Sequence, residues 1–249
     1  MLVLLPPSET KHAGGSGPPL DLAALTAPDE LTEVRARLVD AVVELAGDVP
    51  ASRAALGLSP GLDGEIARNA ALRHSPTLPA IQRYTGVLYD ALDVGSLTKV
   101  QRAKADARLA VGSALFGVVR AGDPIPAYRL SSGSQLPGLP TLRTLWKPVL
   151  PPVLAAHEGL VVDLRSGGYQ ALAPVPGAVT VDVLSERADG SRAVVSHFNK
   201  AHKGRLARHL VTSRAEPADA TALVGLLRRG GFHVERARGS SALTLVVPA

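Results

Sequence analysis

A chain of 249 residues, 46% of them hydrophobic and 20% charged, has the composition of a folded globular protein. The absence of cysteine excludes thiol nucleophiles, redox disulfides, thiolate zinc sites and cysteine-bound iron–sulfur clusters. The net charge of +5 is uneven: it is −4 over residues 1–99, +5 over 100–150, −3 over 151–186 and +7 over 187–249. Two cationic stretches suit a phosphate-rich partner that docks on one face, although a solvated basic surface carries the same signature.

Residues 1–5 read as a short buried strand, too short an apolar run for a signal peptide or a membrane span, so a cytoplasmic protein is expected. A polar loop rich in Gly and Pro follows, through residue 19. Leu31, Val34, Leu38, Val42 and Leu45 then recur at three and four residues, which predicts an amphipathic helix that opens after Asp29 and stops at Gly47. Shorter helices are predicted over 50–56, 63–72 and 79–92, and Ser96 is placed as the N-cap of a basic helix through Arg108. From residue 109 onward β-type runs predominate, at 109–111, 127–130, 160–164, 178–183, 193–198, 232–235 and 242–247, with helices over 141–156, 203–213 and 219–229 between them. Strands drawn from both chain ends predict a mixed α/β (α+β) protein with a mixed sheet and a helical N-terminal region, a single domain over 1–249.

The densest basic run lies between Ser196 and Arg214, where Lys200, Lys203, Arg205, Arg208 and Arg214 stand without a carboxylate. Cations at a helix start oppose the positive end of the helix dipole, so Lys200 and Lys203 point to an anion nearby. His202 and His209 are seven apart, too far for a one-turn metal pair, and no metal or cofactor is expected. Gly112-Ser113 lacks the Gly-x-Ser-x-Gly pattern of a serine hydrolase elbow, so Ser113 reads as a helix cap. The Gly14-Gly-Ser-Gly17 run could cradle phosphate through backbone N–H groups but reads better as a flexible loop. The few aromatics, Tyr84, Tyr89, Phe116, Tyr128, Trp146 and Tyr169 among them, fit a base-stacking cleft and core burial equally well.

Taken together these motifs resemble the YaaA family of bacterial peroxide stress proteins. The longest match is Ser113-Ala-Leu-Phe-Gly-Val-Val-Arg120 with Asp123 and Tyr128-Arg-Leu130; others are Pro7-Ser-Glu-Thr-Lys11, Tyr84-Thr-Gly-Val-Leu-Tyr89, Leu145-Trp146, Leu164-Arg-Ser-Gly-Gly-Tyr169 and Ser196 through Gly204. Phe116 stands where the family usually has Tyr, Ala127 intervenes between Pro126 and Tyr128, Gly168 replaces an acidic residue, and Lys203 occupies a position that is often Arg.

The resemblance implies a positively charged cleft, double-stranded DNA as a partner without sequence preference, a role in limiting iron- and peroxide-dependent damage, and a helix-hairpin-helix-like element at 52–72 or 136–146. Lys11, Arg120, Arg129, Lys200, Lys203, Arg205 and Arg208 are the expected phosphate contacts. Ser8, Glu9, Thr10, Tyr84, Ser113, Tyr128, Ser166 and Tyr169 are the expected polar groups of the same cleft. A competing reading is an enzyme acting there on a nucleotide or damaged nucleobase, and a third is direct iron binding. A monomeric binder without turnover is favoured over both.

Overall fold

Four consecutive apolar residues, Leu2–Leu5, form β1, all of them buried. Such a run belongs inside a parallel sheet covered on both faces, and β1 is flanked on both sides by parallel partners, β3 (Leu109–Ser113) and β6 (Val161–Asp163). β4 (Gly117–Arg120) closes one edge antiparallel to β3. Beyond β6 lie β7 (Val179–Glu186) and β10 (Ala242–Pro248), both parallel to their inner neighbour, then β9 (Val234–Arg236), antiparallel to β10. β8 (Arg192–Val194) pairs with β7 past the point where β6 ends. The order is β4-β3-β1-β6-β7-β10-β9, and β2 (Leu78–Pro79) with β5 (Pro124–Ile125) forms a separate two-stranded ribbon. The structure, a computed structural model, describes residues 1–194, 199–237 and 239–248.

The helices are α1 (Pro28–Leu45), α2 (Val49–Leu56), α3 (Asp63–Ala70), α4 (Ala80–Arg83), α5 (Val87–Leu92), α6 (Lys99–Arg108), α7 (Leu142–Trp146), α8 (Leu150–Ala155), α9 (Gly167–Leu172), α10 (Asn199–Thr212) and α11 (Ala220–Arg229). The first hundred residues are thus mainly helical, as their periodicity predicts. α1 buries Leu31, Leu38, Val42 and Leu45, the predicted apolar stripe, and also Arg35. That guanidinium donates from Nε to the Phe116 carbonyl (3.0 Å) and from Nη2 to that of Val118 (2.9 Å), and burial pulls it down to about 10.

Several boundaries differ from expectation for identifiable reasons. The helix expected over 79–92 is two, because Gly86 takes φ 93 and turns the chain between α4 and α5. Thr98, not Ser96, caps α6, in a reciprocal capping box with Gln101, while the Ser96 hydroxyl bonds back to Asp93. Residues 127–130 form no strand, and β4 arises instead from the Gly117 hairpin, where φ is 73 and a Cβ would lie 2.8 Å from the Trp146 ring. The helix expected over 141–156 is divided into α7 and α8 around Pro148. Ser113 caps no helix; its Oγ accepts from the Phe116 N–H within the β3–β4 turn. The Gly14–Gly17 loop docks rather than hangs free, through a Gly17 N–H to Thr77 carbonyl bond of 3.0 Å. β8 covers 192–194 of the run expected over 193–198, and residues 195–198, Ser196 included, lie outside the described residues.

Candidate functional site

In open α/β sheets ligands bind outside the carboxyl ends of the strands, and here β1, β3 and β6 all finish on one edge. The chain leaving β1 runs through Pro6 to Lys11 and is fastened there. Tyr89 Oη donates to the Pro6 carbonyl (2.8 Å), Lys11 bridges Tyr84 through the backbone, and the His12 N–H donates to the Arg83 carbonyl (2.9 Å). Arg83 is itself fully buried and spans the carbonyls of Ile125, His12 and Pro76, which ties this loop to the β2–β5 ribbon.

Above the end of β3 a hydroxyl chain runs from Ser113 Oγ to Tyr128 Oη (2.7 Å) and on to Tyr84 Oη (2.8 Å). Phe116 packs edge-on against Tyr128 at 5.3 Å, and Tyr89 stacks on Tyr84 at 5.5 Å. Burial pushes the ionisation of Tyr84, Tyr89 and Tyr128 up, so all three remain phenols at physiological pH. Lys11 lies across this floor: Nζ is 4.2 Å from the Tyr128 ring centre, 5.4 Å from that of Tyr84, and donates to the Ser8 carbonyl at 3.0 Å. Residue 11 is 9% exposed, and loss of hydration pulls its amine from 10.5 down to about 7 against the opposing pull of the Glu9 carboxylate.

Around Lys11 the rim is polar and open. Ser8, Thr10 and Thr85 hydroxyls interconnect at the surface, and Glu9 pairs with Arg129 at 2.7 Å. The Arg129 backbone is held by the Asn69 amide in two hydrogen bonds, of 2.9 and 2.8 Å, which explains why 127–130 needs no strand partner. Among the described residues, the buried Arg129 Nε has no hydrogen-bond partner.

At the end of β6 the buried Asp163–Arg165 pair organises the next loop. Arg165 binds the carboxylate through Nε (2.9 Å) and Nη2 (2.8 Å) and holds the carbonyls of Tyr169 and Ala173. Its side chain crosses Gly112 so closely that a Cβ there would lie 2.9 Å from Arg165 Cδ. Removing one partner of such a pair typically costs about 3–5 kcal/mol. The loop carries Ser166 and Tyr169, the latter also held as a phenol by burial, and Gly168, where a Cβ would lie 2.8 Å from Ser132 Oγ. Lys203, on α10, reaches the same edge and donates to the Leu164 carbonyl at 3.1 Å; burial lowers its pKa.

The structure therefore brings Lys11, Arg129 and Lys203 to one edge with Ser8, Glu9, Thr10, Tyr84, Ser113, Tyr128, Ser166 and Tyr169. Lys200 is exposed, three residues before Lys203 on the first turn of α10. Two of the other expected cations, Arg120 and Arg208, lie elsewhere. Arg120 pairs across from Ala110 at the opposite end of the parallel strands. Arg208 donates to the Leu92 and Asp93 carbonyls and to Ser96 Oγ, clamping α10 to the end of α5. Arg205 lines a cavity of about 550 Å³ with Glu186 and Pro248, at the carboxyl ends of β7 and β10 farther along the same sheet edge.

Sequence reasoning missed Asn69, Arg83 and the Asp163–Arg165 pair; the signal for the last was two charges at the mouth of an apolar strand. Of the two candidate helix-hairpin-helix segments, 52–72 contains a packed helix pair, α2 and α3, tied by Arg53 Nε to Asp63 at 2.8 Å, whereas 136–146 contains one helix. Among the described residues no three His, Asp or Glu side chains gather as a metal site, and no helix is long and apolar enough to cross a membrane.

A family model described as peroxide stress protein YaaA matches residues 1–238. A UPF0246 protein of Corynebacterium efficiens is 51% identical over 99% of this chain and 100% of the relative. A UPF0246 protein of Streptomyces coelicolor is 46% identical over 94% of this chain and 92% of its own. One from a Shewanella species is 28% identical over 88% and 89%.

Proposed function

The chain belongs to the YaaA family of peroxide stress proteins, and from that premise we propose that it limits oxidative damage by binding duplex DNA along the strand-end edge. The observation that supports this reading is the Lys203 contact with the Leu164 carbonyl, which brings the carboxylate-free first turn of α10 to the sheet edge that also carries Lys11 and Arg129. Lys200 and Lys203 then face phosphates, where they offset rather than aggravate the helix dipole. The α2–α3 pair, joined by a loop in which Gly61 faces open space, would present backbone N–H groups to a further phosphate.

Fluorescence anisotropy with a labelled duplex tests this. The wild-type chain should bind with little sequence preference, and the Lys200→Ala/Lys203→Ala double variant should bind at least about tenfold more weakly at low salt. Equal affinity of the two proteins would remove these lysines from the interface.

A second reading, chemistry on a nucleotide or damaged nucleobase, is favoured by the burial of Lys11 among phenols, an environment that suits an acid–base or nucleophilic amine better than a plain phosphate contact.

A further inference from the structure

Resting on the DNA reading, we propose that Lys11 is a nucleophilic amine that forms an imine with the aldehyde of a base-stripped deoxyribose, the sugar left in DNA when oxidation removes a base.

Placement argues for this first. Lys11 ends the loop that leaves the central strand β1, and the residues just before it reach the surface, Glu9 and Thr10 exposed and Ser8 half-buried. Its environment argues next. A structural buried lysine is normally neutralised by a carboxylate. Here the nearest carboxylate in sequence, Glu9, is engaged by Arg129 at 2.7 Å, and among the described residues no acidic oxygen comes within ion-pair distance of Nζ. Tyr84 and Tyr128 remain phenols, hydrogen-bonded to each other and to Ser113, so no phenolate compensates the charge. An amine with one hydrogen bond, to the Ser8 carbonyl, retains a lone pair for bond formation once it is neutral. Burial lowers its proton affinity to about 7, so a large share of the population is neutral at physiological pH.

The groups around it fit a sugar that carries phosphate. Among the described residues Arg129 Nε is buried without a partner beside the Glu9 contact, and Lys203 stands at the end of the neighbouring strand. On this reading both would hold phosphates flanking the aldehyde.

The step balances without an added oxidant or reductant. The Nζ lone pair attacks the aldehyde carbon while the C=O π pair moves to oxygen. The carbinolamine nitrogen then loses its proton, the hydroxyl takes up a proton, and water departs as the C=N bond forms.

The aldehyde could come from DNA or from a free sugar phosphate, and the test separates them. The full-length protein is incubated in parallel with an abasic-site duplex, the matching intact duplex and 2-deoxyribose 5-phosphate. Each reaction is reduced with cyanoborohydride and mapped by peptide mass spectrometry, and anisotropy on the intact duplex is run alongside. The abasic duplex should give an adduct on the Lys11 peptide at least tenfold above that on any other lysine, lost in Lys11→Arg, with the intact duplex giving none. Labelling of Lys11 by the free sugar phosphate alone, with no duplex binding, would sustain the amine chemistry and sink the DNA reading. Duplex binding with no adduct, or with adducts spread over Lys99, Lys147 and Lys200, would overturn the inference and leave DNA binding standing. Peptide mapping on the wild-type protein decides the question even if Lys11→Arg folds poorly.

Discussion

Three buried or nearly buried cations, Lys11, Arg35 and Arg83, show how the same burial serves different ends. The two arginines each bind two or more backbone carbonyls and act as clamps, whereas Lys11 has one such bond and a floor of aromatic rings. The difference is measurable through pH. The Lys11 amine is held near 7 in the folded protein against 10.5 in the unfolded chain, so between those values the unfolded state binds more protons and stability rises with pH. Below about pH 7 both states are protonated and the handicap is constant. Denaturant melts of the wild type and Lys11→Met across about pH 7.5 to 9 should therefore diverge, the wild type gaining up to about 1.4 kcal/mol per pH unit relative to the variant. Parallel curves would mean that Lys11 keeps an ordinary affinity for protons. Lys11, Tyr84, Tyr128 and Ser113 were legible in the sequence through the family resemblance, because they sit in the segments that carry it. Arg83 and Asn69 were not, because they chiefly bind the backbone of segments about forty to seventy residues away, which leaves no local pattern.

At the scale of elements, the position of α10 decides whether the basic run reaches the site. It crosses α5 at Gly204, where a Cβ would lie 2.2 Å from the Leu88 carbonyl oxygen and 2.9 Å from Ala91 Cβ. Only glycine permits that approach, and Arg208 reinforces it from the next turn. Gly204→Ala should cost roughly 1–3 kcal/mol and lower the melting temperature by several degrees. It should also weaken duplex binding, because Lys203 would be pushed off the Leu164 carbonyl. An unchanged melting temperature would show that α10 can shift without loss. Periodicity located α1, α10 and α11 well because each buries a continuous apolar stripe. It failed over 79–92 and 141–156, where Gly86 and Pro148 break apolar runs that look continuous, and at 127–130, where the Asn69 amide replaces a strand partner.

Over the whole molecule, β1 and β10 come from opposite chain ends into one sheet, so the single-domain, mixed α/β reading followed from strand placement. Charge counting could not foresee how that sheet sorts its cations. Parallel strands send Lys11 and the Leu164 carbonyl to one edge, while the antiparallel return of β4 carries Arg120 to the other. Basic residues close in the sequence reading are thereby separated, and ones far apart are joined. The decisive measurement is the salt dependence of duplex binding for the wild type, Lys200→Ala/Lys203→Ala and Arg120→Ala. The double variant is expected to lower the magnitude of the log–log slope by about 1.8, roughly 0.9 for each phosphate contact, with the wild-type slope retained in Arg120→Ala. A slope that falls as far in Arg120→Ala as in the lysine variant would contradict the assignment of the strand-end edge as the place where DNA is held.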